Sequence, residues 1–93
     1  MERRRMFWVY VLWSEKLRKR YVGSTENVDT RLRDHNGGSN KFTRGGIPWV
    51  TLHREMFDVK SVAIRRDKFL KSGQGRKWLD HEFPASRKGA GAV

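Results

Sequence analysis

The chain has 93 residues, of which 37% are hydrophobic and none is cysteine. That length suits one domain with a real core, and the absence of cysteine excludes a disulfide framework and a thiolate metal site. With 21 Lys and Arg against 10 Asp and Glu, the net charge of +11 favours a polyanionic partner, nucleic acid first, bound in a strongly salt-dependent way.

The first elements predicted along the chain form a β-hairpin. Residues 1–6 are an arginine-rich leader that we expect to be flexible. Residues 7–13 are apolar, β-branched and aromatic, residues 20–23 form a second short strand-like segment, and the residues between them are charged. Both faces of the first strand are apolar, which predicts a central strand covered by helices on each side. Tyr10 and Tyr21 would then share one sheet face, provided that the register places them together.

A helix is predicted next, because the spacing of apolar residues changes from two to about 3.6 residues. From Asn27 onward, Val28, Leu32 and His35 recur at helical spacing. Arg31 and His35 are therefore one turn apart on the same face. The candidates for its N-terminal cap are Ser24, Thr25 and Asn27.

The second half of the chain predicts a loop, a strand and two helices. Residues 36–46 are a glycine-rich polar loop of the kind that often contacts ligands. A third strand covers about residues 50–57, and Asp58 is a plausible cap for a helix that Gly73 ends. A shorter helix over 76–81 would pack Trp78 and Leu79 onto the sheet.

The predicted fold is therefore α/β, with a small antiparallel sheet of about three strands flanked by helices. We expect one domain over residues 7–82 and a flexible tail over 83–93. Since no apolar segment is long enough for a secretion signal or a membrane span, we expect a cytoplasmic protein, nucleoid-associated when bound to DNA.

One ordered set of motifs resembles a known family. Val9-Tyr10-Val11 and Tyr21-Val22-Gly23, followed by Arg-Leu-x-x-His at 31–35, resemble the GIY-YIG nuclease signature, most closely that of the small single-domain bacterial members. The resemblance runs from about Phe7 to Leu79. It implies a GIY-YIG-like fold and a metal-dependent endonuclease that hydrolyses phosphodiester bonds of DNA. Structured or branched DNA is one possible substrate, and RNA stays open as a partner.

The resemblance also implies roles for four side chains. Tyr10 and Tyr21 would be the paired active-site tyrosines, one of them helping to activate water. Arg31 would stabilise the phosphate, and His35 would assist by hydrogen bonding or proton transfer. A free tyrosine, with a pKa of about 10, is a poor base, but a nearby cation such as Arg31 or Lys41 would favour the phenolate. Read without the family, the tyrosines are cross-strand packing partners, Arg31 is solvated and His35 stabilises a helix C-terminus.

The expected metal ligand departs from the family pattern. Where the family has Ala-x-x-Arg-Glu-Lys-x-Leu-Lys, this chain has Asp67 in place of the glutamate. A carboxylate can hold Mg²⁺ or Mn²⁺, but the side chain is one methylene shorter. Asp67 can instead be an ordinary i,i+4 partner of Lys71. Glu55 is a possible second carboxylate or one half of a salt bridge.

Five further residues are expected to contact nucleic acid: Ser24, Lys41, Thr43, Arg44 and Lys71. If the shortened carboxylate abolishes cleavage, the same surface describes a non-catalytic DNA- or RNA-binding module. A small basic RNA-associated protein also accounts for the charge, but it leaves the tyrosine and arginine spacing to coincidence.

Overall fold

The computed structural model describes residues 5–86, which form one three-stranded sheet and three helices. No helix within those residues is long and apolar enough to cross a membrane. Two short 3₁₀ turns, η1 and η2, complete the described part of the chain. The elements in chain order are β1 (Phe7–Ser14), β2 (Lys19–Thr25), α1 (Val28–Asn36), η1 (Arg44–Gly46), β3 (Trp49–Phe57), α2 (Lys60–Lys71), α3 (Gly73–Glu82) and η2 (Pro84–Ser86).

The sheet is antiparallel with the order β2-β1-β3, so β1 is central and the predicted hairpin is confirmed. The register pairs Tyr10 with Gly23 and Leu12 with Tyr21. Residues paired across strands point to the same face, as do alternate residues of one strand. Tyr10 and Tyr21 are therefore diagonal neighbours on one face of the sheet, which confirms the prediction that they share a face.

Two buried clusters lie on opposite faces of the sheet. On one face, Val9 and Val11 pack with Ala63 and Leu70 of α2 and with Leu79 of α3. The other face carries Tyr10 and Leu12, packed with Val28 of α1 and with Trp49. The α/β prediction, with helices on both faces of three antiparallel strands, is confirmed.

The junctions around α2 differ from the prediction. The N-cap of α2 is Val59, with no side-chain cap, rather than Asp58. Its C-cap, Ser72, is also the N-cap of α3 and accepts a hydrogen bond from the Gly75 N–H. Gly73 therefore begins α3 instead of ending α2. A Cβ on Gly75 would lie 2.0 Å from the Phe69 carbonyl oxygen, so the two helices meet at a position that only glycine can occupy.

Some residues of the two segments that we expect to be flexible form contacts in the structure. Arg5, in the expected leader, forms two hydrogen bonds with the Glu26 carboxylate. Phe83, the first residue of the expected tail, packs against the cluster around Val9, and η2 follows it. The rest of both segments, residues 1–4 and 87–93, lies outside the described residues.

Candidate active site

The two tyrosines form the centre of the candidate site. Their ring centroids are 6.4 Å apart, and Tyr10 is only 1% exposed whereas Tyr21 is partly exposed. A Cβ on Gly23, directly across from Tyr10, would lie 2.5 Å from the Tyr10 hydroxyl oxygen. The missing side chain of Gly23 thus provides the space that the phenol occupies.

His35 links Tyr10 to the loop that follows α1. It lies at the C-terminal end of α1, is fully buried, and has its Nε2 3.1 Å from the Tyr10 hydroxyl oxygen. Its Nδ1 is 2.8 Å from the hydroxyl oxygen of Thr43, which is also 3.3 Å from the Asn40 carbonyl oxygen. The result is a continuous chain of hydrogen bonds from the sheet to the loop backbone.

The direction of this chain follows from its last member. A carbonyl oxygen can only accept, so when the Thr43 hydroxyl donates its one proton to Asn40, its oxygen accepts from the Nδ1–H of His35. A neutral His35 then has an unprotonated Nε2, which accepts from the Tyr10 hydroxyl. The geometry therefore favours Tyr10 as a donor to His35 in the resting site.

Burial keeps both Tyr10 and His35 uncharged. It lowers the pKa of His35 below its ordinary value, and the Arg31 cation acts in the same direction. Burial also raises the pKa of Tyr10, and nearby Arg31 only partly offsets the increase. Arg31 was expected to favour the Tyr10 phenolate, but its effect is too small, so resting Tyr10 is a neutral phenol.

Arg31 lies on the same helix as His35, one turn earlier, as predicted. Its side chain is 40% exposed and forms a loose ion pair with Asp34, with 3.7 Å between Nη1 and the carboxylate oxygen. Since it lowers the pKa values of both Tyr10 and His35, its charge lies close to both rings. Arg31 can therefore turn its guanidinium toward a phosphate above the tyrosines.

Asp67 approaches the same cluster from α2. Its Oδ2 accepts a hydrogen bond from the Ser24 hydroxyl at 2.6 Å, one residue beyond Gly23. Its Oδ1 is 2.9 Å from the Lys71 ammonium, which matches the alternative interpretation of Asp67 as an i,i+4 partner of Lys71. The negative charge of Asp67 also acts to raise the pKa of Tyr10. Parts of β1, β2, α1 and α2 thus bring together Tyr10, Tyr21, Arg31, His35 and Asp67.

Comparison with known proteins agrees with this arrangement. A family model described as the GIY-YIG catalytic domain matches residues 6–78, well over half of the chain. The chain belongs to the GIY-YIG family. This membership implies nuclease chemistry in general, and nucleases of the GIY-YIG family generally use divalent metal ions.

The chain is also similar to UPF0213 proteins of archaea and bacteria. The UPF0213 protein of Haloquadratum walsbyi is 43% identical over 53 residues, which are 56% of this chain and 60% of that protein. The protein of Staphylococcus haemolyticus is 42% identical over 53 residues, or 56% of this chain and 65% of that one. The protein of Clostridium perfringens is 36% identical over 67 residues, 71% of each chain. The matched segment covers less than two thirds of the length of the first two relatives.

Asp67, the carboxylate of this GIY-YIG site, suits a metal ion that takes most of its ligands from water and substrate. Residues 5–86 contain no group of three or more His, Cys, Asp or Glu that could hold a metal. Oδ1 of Asp67 is buried and has no hydrogen bond, because the Lys71 contact has the geometry of an ion pair only. One carboxylate is sufficient for Mg²⁺ when water and substrate phosphate supply the other ligands. Asp67 therefore fits such an ion, provided that Lys71 moves away from Oδ1.

The residues expected to contact nucleic acid have different surroundings. Lys41 is exposed, and so is Arg44, whose Nε also donates to the Gly38 carbonyl oxygen at 2.9 Å. The Lys71 side chain is 55% exposed and pairs with Asp67. The Ser24 hydroxyl donates a hydrogen bond to the same carboxylate. Thr43 differs from the prediction most clearly, because it is 1% exposed and has no side-chain surface to offer a ligand. Its hydroxyl positions His35 instead.

A groove extends the basic surface beyond the GIY-YIG cluster. It has a volume of about 420 Å³ and lies between the outer edge of β2 and the α2–α3 junction. Lys19, Lys71 and Arg76 line it above buried Leu70 and Leu79, and Tyr21 lines its wall as well. The groove therefore begins beside the tyrosine pair and is lined by cations.

Glu55 belongs to a different polar cluster. Its carboxylate accepts hydrogen bonds from Arg66 at 2.9 to 3.2 Å and lies 2.7 Å from the His53 Nε2. Burial acts to raise the pKa of Glu55, but the hydrogen bonds from Arg66 and His53 outweigh it and lower the pKa. These contacts match the salt-bridge interpretation of Glu55.

Proposed function

We propose that this chain is a metal-dependent endonuclease that hydrolyses phosphodiester bonds of DNA. The observation that carries the proposal is the hydrogen-bonded chain from Tyr10 through His35 to Thr43, beside Tyr21 and Arg31. His35 can accept the Tyr10 proton at Nε2 when its Nδ1–H donates to Thr43, so the chain offers a route for a proton. Family membership and the net charge of +11 support the same substrate class.

In this proposal Tyr10 activates the attacking water through His35. Because Tyr10 is only 1% exposed at rest, this step requires that DNA binding open the Tyr10 hydroxyl to that water. As the water oxygen bonds to phosphorus, the water proton passes to the Tyr10 oxygen and the Tyr10 proton passes to Nε2 of His35. The bond from phosphorus to one sugar oxygen breaks at the same time, and this leaving oxygen takes a proton from solvent water. The Nδ1–H bond to Thr43 keeps Nε2 free to accept that proton. Because both groups are neutral at rest, the transfer is completed only as the phosphate reacts.

Arg31 and Tyr21 bind the phosphate in this scheme. The guanidinium forms two parallel hydrogen bonds to phosphate oxygens and offsets charge that develops as phosphorus is attacked. The ring centroid of Tyr21 lies 4.8 Å from that of His35, at the more exposed side of the cluster. A divalent ion, Mg²⁺ or Mn²⁺, held by Asp67 would supply further stabilisation of the phosphate charge.

The experiment compares nicking of supercoiled DNA with Mg²⁺ or Mn²⁺ and with a chelator. We expect nicks in the presence of metal that disappear with chelator and in Asp67→Ala. Asp67→Glu restores the methylene that the family has, so we expect faster nicking in this variant. An unchanged or lower rate in Asp67→Glu would contradict the placement of the ion, and metal-independent nicking would contradict its role.

A non-catalytic DNA-binding module is the second candidate, and one observation favours it. Both oxygens of Asp67 are already engaged, one by the Ser24 hydroxyl and the other by the Lys71 ammonium. If Lys71 keeps that position when DNA is bound, it neutralises the carboxylate that a metal would need. If the wild type, Asp67→Glu and Lys71→Gln all bind DNA in a salt-sensitive way and none of them nicks it, the chain is this module.

A further inference from the structure

Phe42 is the most exposed large apolar side chain among residues 5–86. It is 84% exposed, while Val50 and Met56, the next most exposed, are at 54% and 53%. Single exposed apolar residues are common and carry no meaning alone. Phe42 is distinguished by how the chain holds it and by what lies next to it.

The backbone on both sides of Phe42 is anchored. Its N–H donates to the side-chain oxygen of Asn40 at 2.9 Å, and both the Thr43 and Arg44 N–H groups donate to the Asn40 carbonyl oxygen. The Thr43 carbonyl oxygen accepts from the indole N–H of buried Trp49 at 2.7 Å. The phenyl ring is thus presented to solvent by a turn that these bonds fix.

The same turn connects Phe42 to the candidate active site through the backbone. Thr43, the next residue, contacts His35 with its hydroxyl, and adjacent Cα atoms are about 3.8 Å apart. The backbone of Phe42 therefore lies one residue from a side chain that bonds His35.

One cation lies near the ring and a second follows in the same loop. The Lys41 ammonium lies 5.9 Å from the ring centroid, and exposed Arg44 is two residues away. An aromatic ring flanked by cations suits a nucleic acid, because a base stacks on the ring while the cations bind the adjoining phosphates. A protein partner would be better served by a contiguous apolar patch, which one isolated ring does not supply.

We propose that Phe42 stacks on an unpaired nucleobase of the DNA, next to the phosphate bound by Arg31 and the tyrosines. This inference rests on the proposed function and narrows its substrate to DNA with an unpaired or extruded base near the cut. A base inside a regular duplex is stacked on both faces, so the ring gains a partner only where stacking is already broken.

The test measures binding with chelator present, so that no cleavage is needed. The probes are two fluorescein-labelled duplexes of identical sequence, one fully paired and one with a single bulged nucleotide. We expect the wild type to prefer the bulged duplex, and Phe42→Ala to weaken binding to it roughly 5- to 150-fold, which is the effect of losing one stacked base. Binding to the paired duplex should change little.

Three variants separate stacking from other effects of the substitution. Phe42→Trp keeps an aromatic face and should retain the preference, whereas Phe42→Leu keeps apolar area but should lose it. Met56→Ala, an exposed apolar control on β3, should behave as the wild type. Because Phe42 contacts no phosphate, Phe42→Ala should keep the wild-type salt slope, while Lys41→Gln should reduce it by about one.

A second readout reports on stacking itself. With 2-aminopurine as the bulged base, binding of the wild type should change the fluorescence of the base, and binding of Phe42→Ala should not. Equal binding of both duplexes by wild type and Phe42→Ala would overturn the proposal, as would an equal loss on both duplexes. If the preference is found but no variant or metal gives nicks, the stacking site stands and the nuclease proposal fails.

Discussion

Gly23→Ala tests the geometry of the site without changing any polar group. The new Cβ would lie 2.5 Å from the hydroxyl oxygen and 2.7 Å from Cζ of Tyr10. Tyr10 cannot simply turn aside, because it is 1% exposed and its hydroxyl is bonded to His35. The substitution therefore forces either the ring or strand β2 to move.

The size of the effect follows from the contacts that are disturbed. Overpacking of a buried ring costs about 1–3 kcal/mol, and loss of the Tyr10–His35 hydrogen bond adds about 0.5–1.5 kcal/mol. Alanine recovers about 0.5–1 kcal/mol because glycine within a strand is unfavourable. We therefore expect the free energy of unfolding to fall by about 2 kcal/mol, which for a domain of this size lowers Tm by roughly 8–16 °C.

Thermal and urea denaturation of two further variants complete the experiment. Gly45→Ala is the matched control, because a Cβ there meets nothing within 4 Å, and it should be neutral or slightly stabilising. In a Tyr10→Phe background the cost of Gly23→Ala should be smaller, since the shortest contact involves the hydroxyl. If Gly23→Ala and Gly45→Ala differ by less than about 0.5 kcal/mol, the close approach described here is wrong.

Three predictions concern the Tyr10–His35–Thr43 chain. Because the pKa of His35 is lowered by burial, the unfolded chain binds more protons below about pH 6.5, so stability should fall between pH 7 and pH 5. Denaturation should show a smaller decline in His35→Gln, and an equal decline would contradict a buried neutral histidine. In an ultraviolet titration of the folded protein, one tyrosine should ionise above the ordinary pKa of about 10. That late step should be missing in Tyr10→Phe, and its persistence there would refute the assignment. Thr43→Val leaves the Nδ1–H of His35 without its acceptor and should cost about 1–3 kcal/mol. Thr43→Ser should retain most of that stability, and equal losses in both variants would show that the hydroxyl is unimportant.

The sheet was predictable because its signals are local. The apolar run of β1 has both faces buried, which its sequence shows directly, and the change of spacing after Asn27 predicts α1 at the observed position. The tyrosine pair follows from a register that the short hairpin permits. The α2–α3 junction could not be predicted in the same way. Gly73 and Gly75 are typical of a helix end, whereas here Gly75 reflects a close contact with the Phe69 carbonyl.

The role of Thr43 depends on contacts that the sequence does not reveal. A threonine in a glycine-rich polar loop is typically exposed, so it was expected to contact nucleic acid. The loop is instead drawn inward by Trp49, whose backbone N–H and carbonyl bond the Asn36 side chain and whose indole bonds Thr43. These bonds join the loop to the first residue of β3, which lies 13 residues after Asn36 and 6 after Thr43. The turn that buries the Thr43 side chain leaves the side chain of its neighbour, Phe42, exposed to solvent.

The apolar spacing of α2 was only partly informative. Ala63 and Leu70 are buried, but Val59 and Val62, which share their helical spacing, are 49% and 37% exposed. The helix meets the sheet on a narrow stripe, and its partly covered Asp67 approaches the tyrosines past the edge of β2. Which apolar residues face the core is decided by the angle at which α2 crosses the sheet, and spacing alone does not determine that angle.

The nuclease account is tested most directly by the rate at which Tyr10→Phe nicks supercoiled DNA at saturating Mg²⁺. The variant removes one oxygen and leaves the ring in place, and DNA binding measured with chelator serves as its control. The account predicts unchanged binding and a rate lower by about 10²- to 10⁴-fold, the contribution of a proton-transfer group. A rate within a few-fold of the wild type would contradict a catalytic role for the Tyr10–His35 pair.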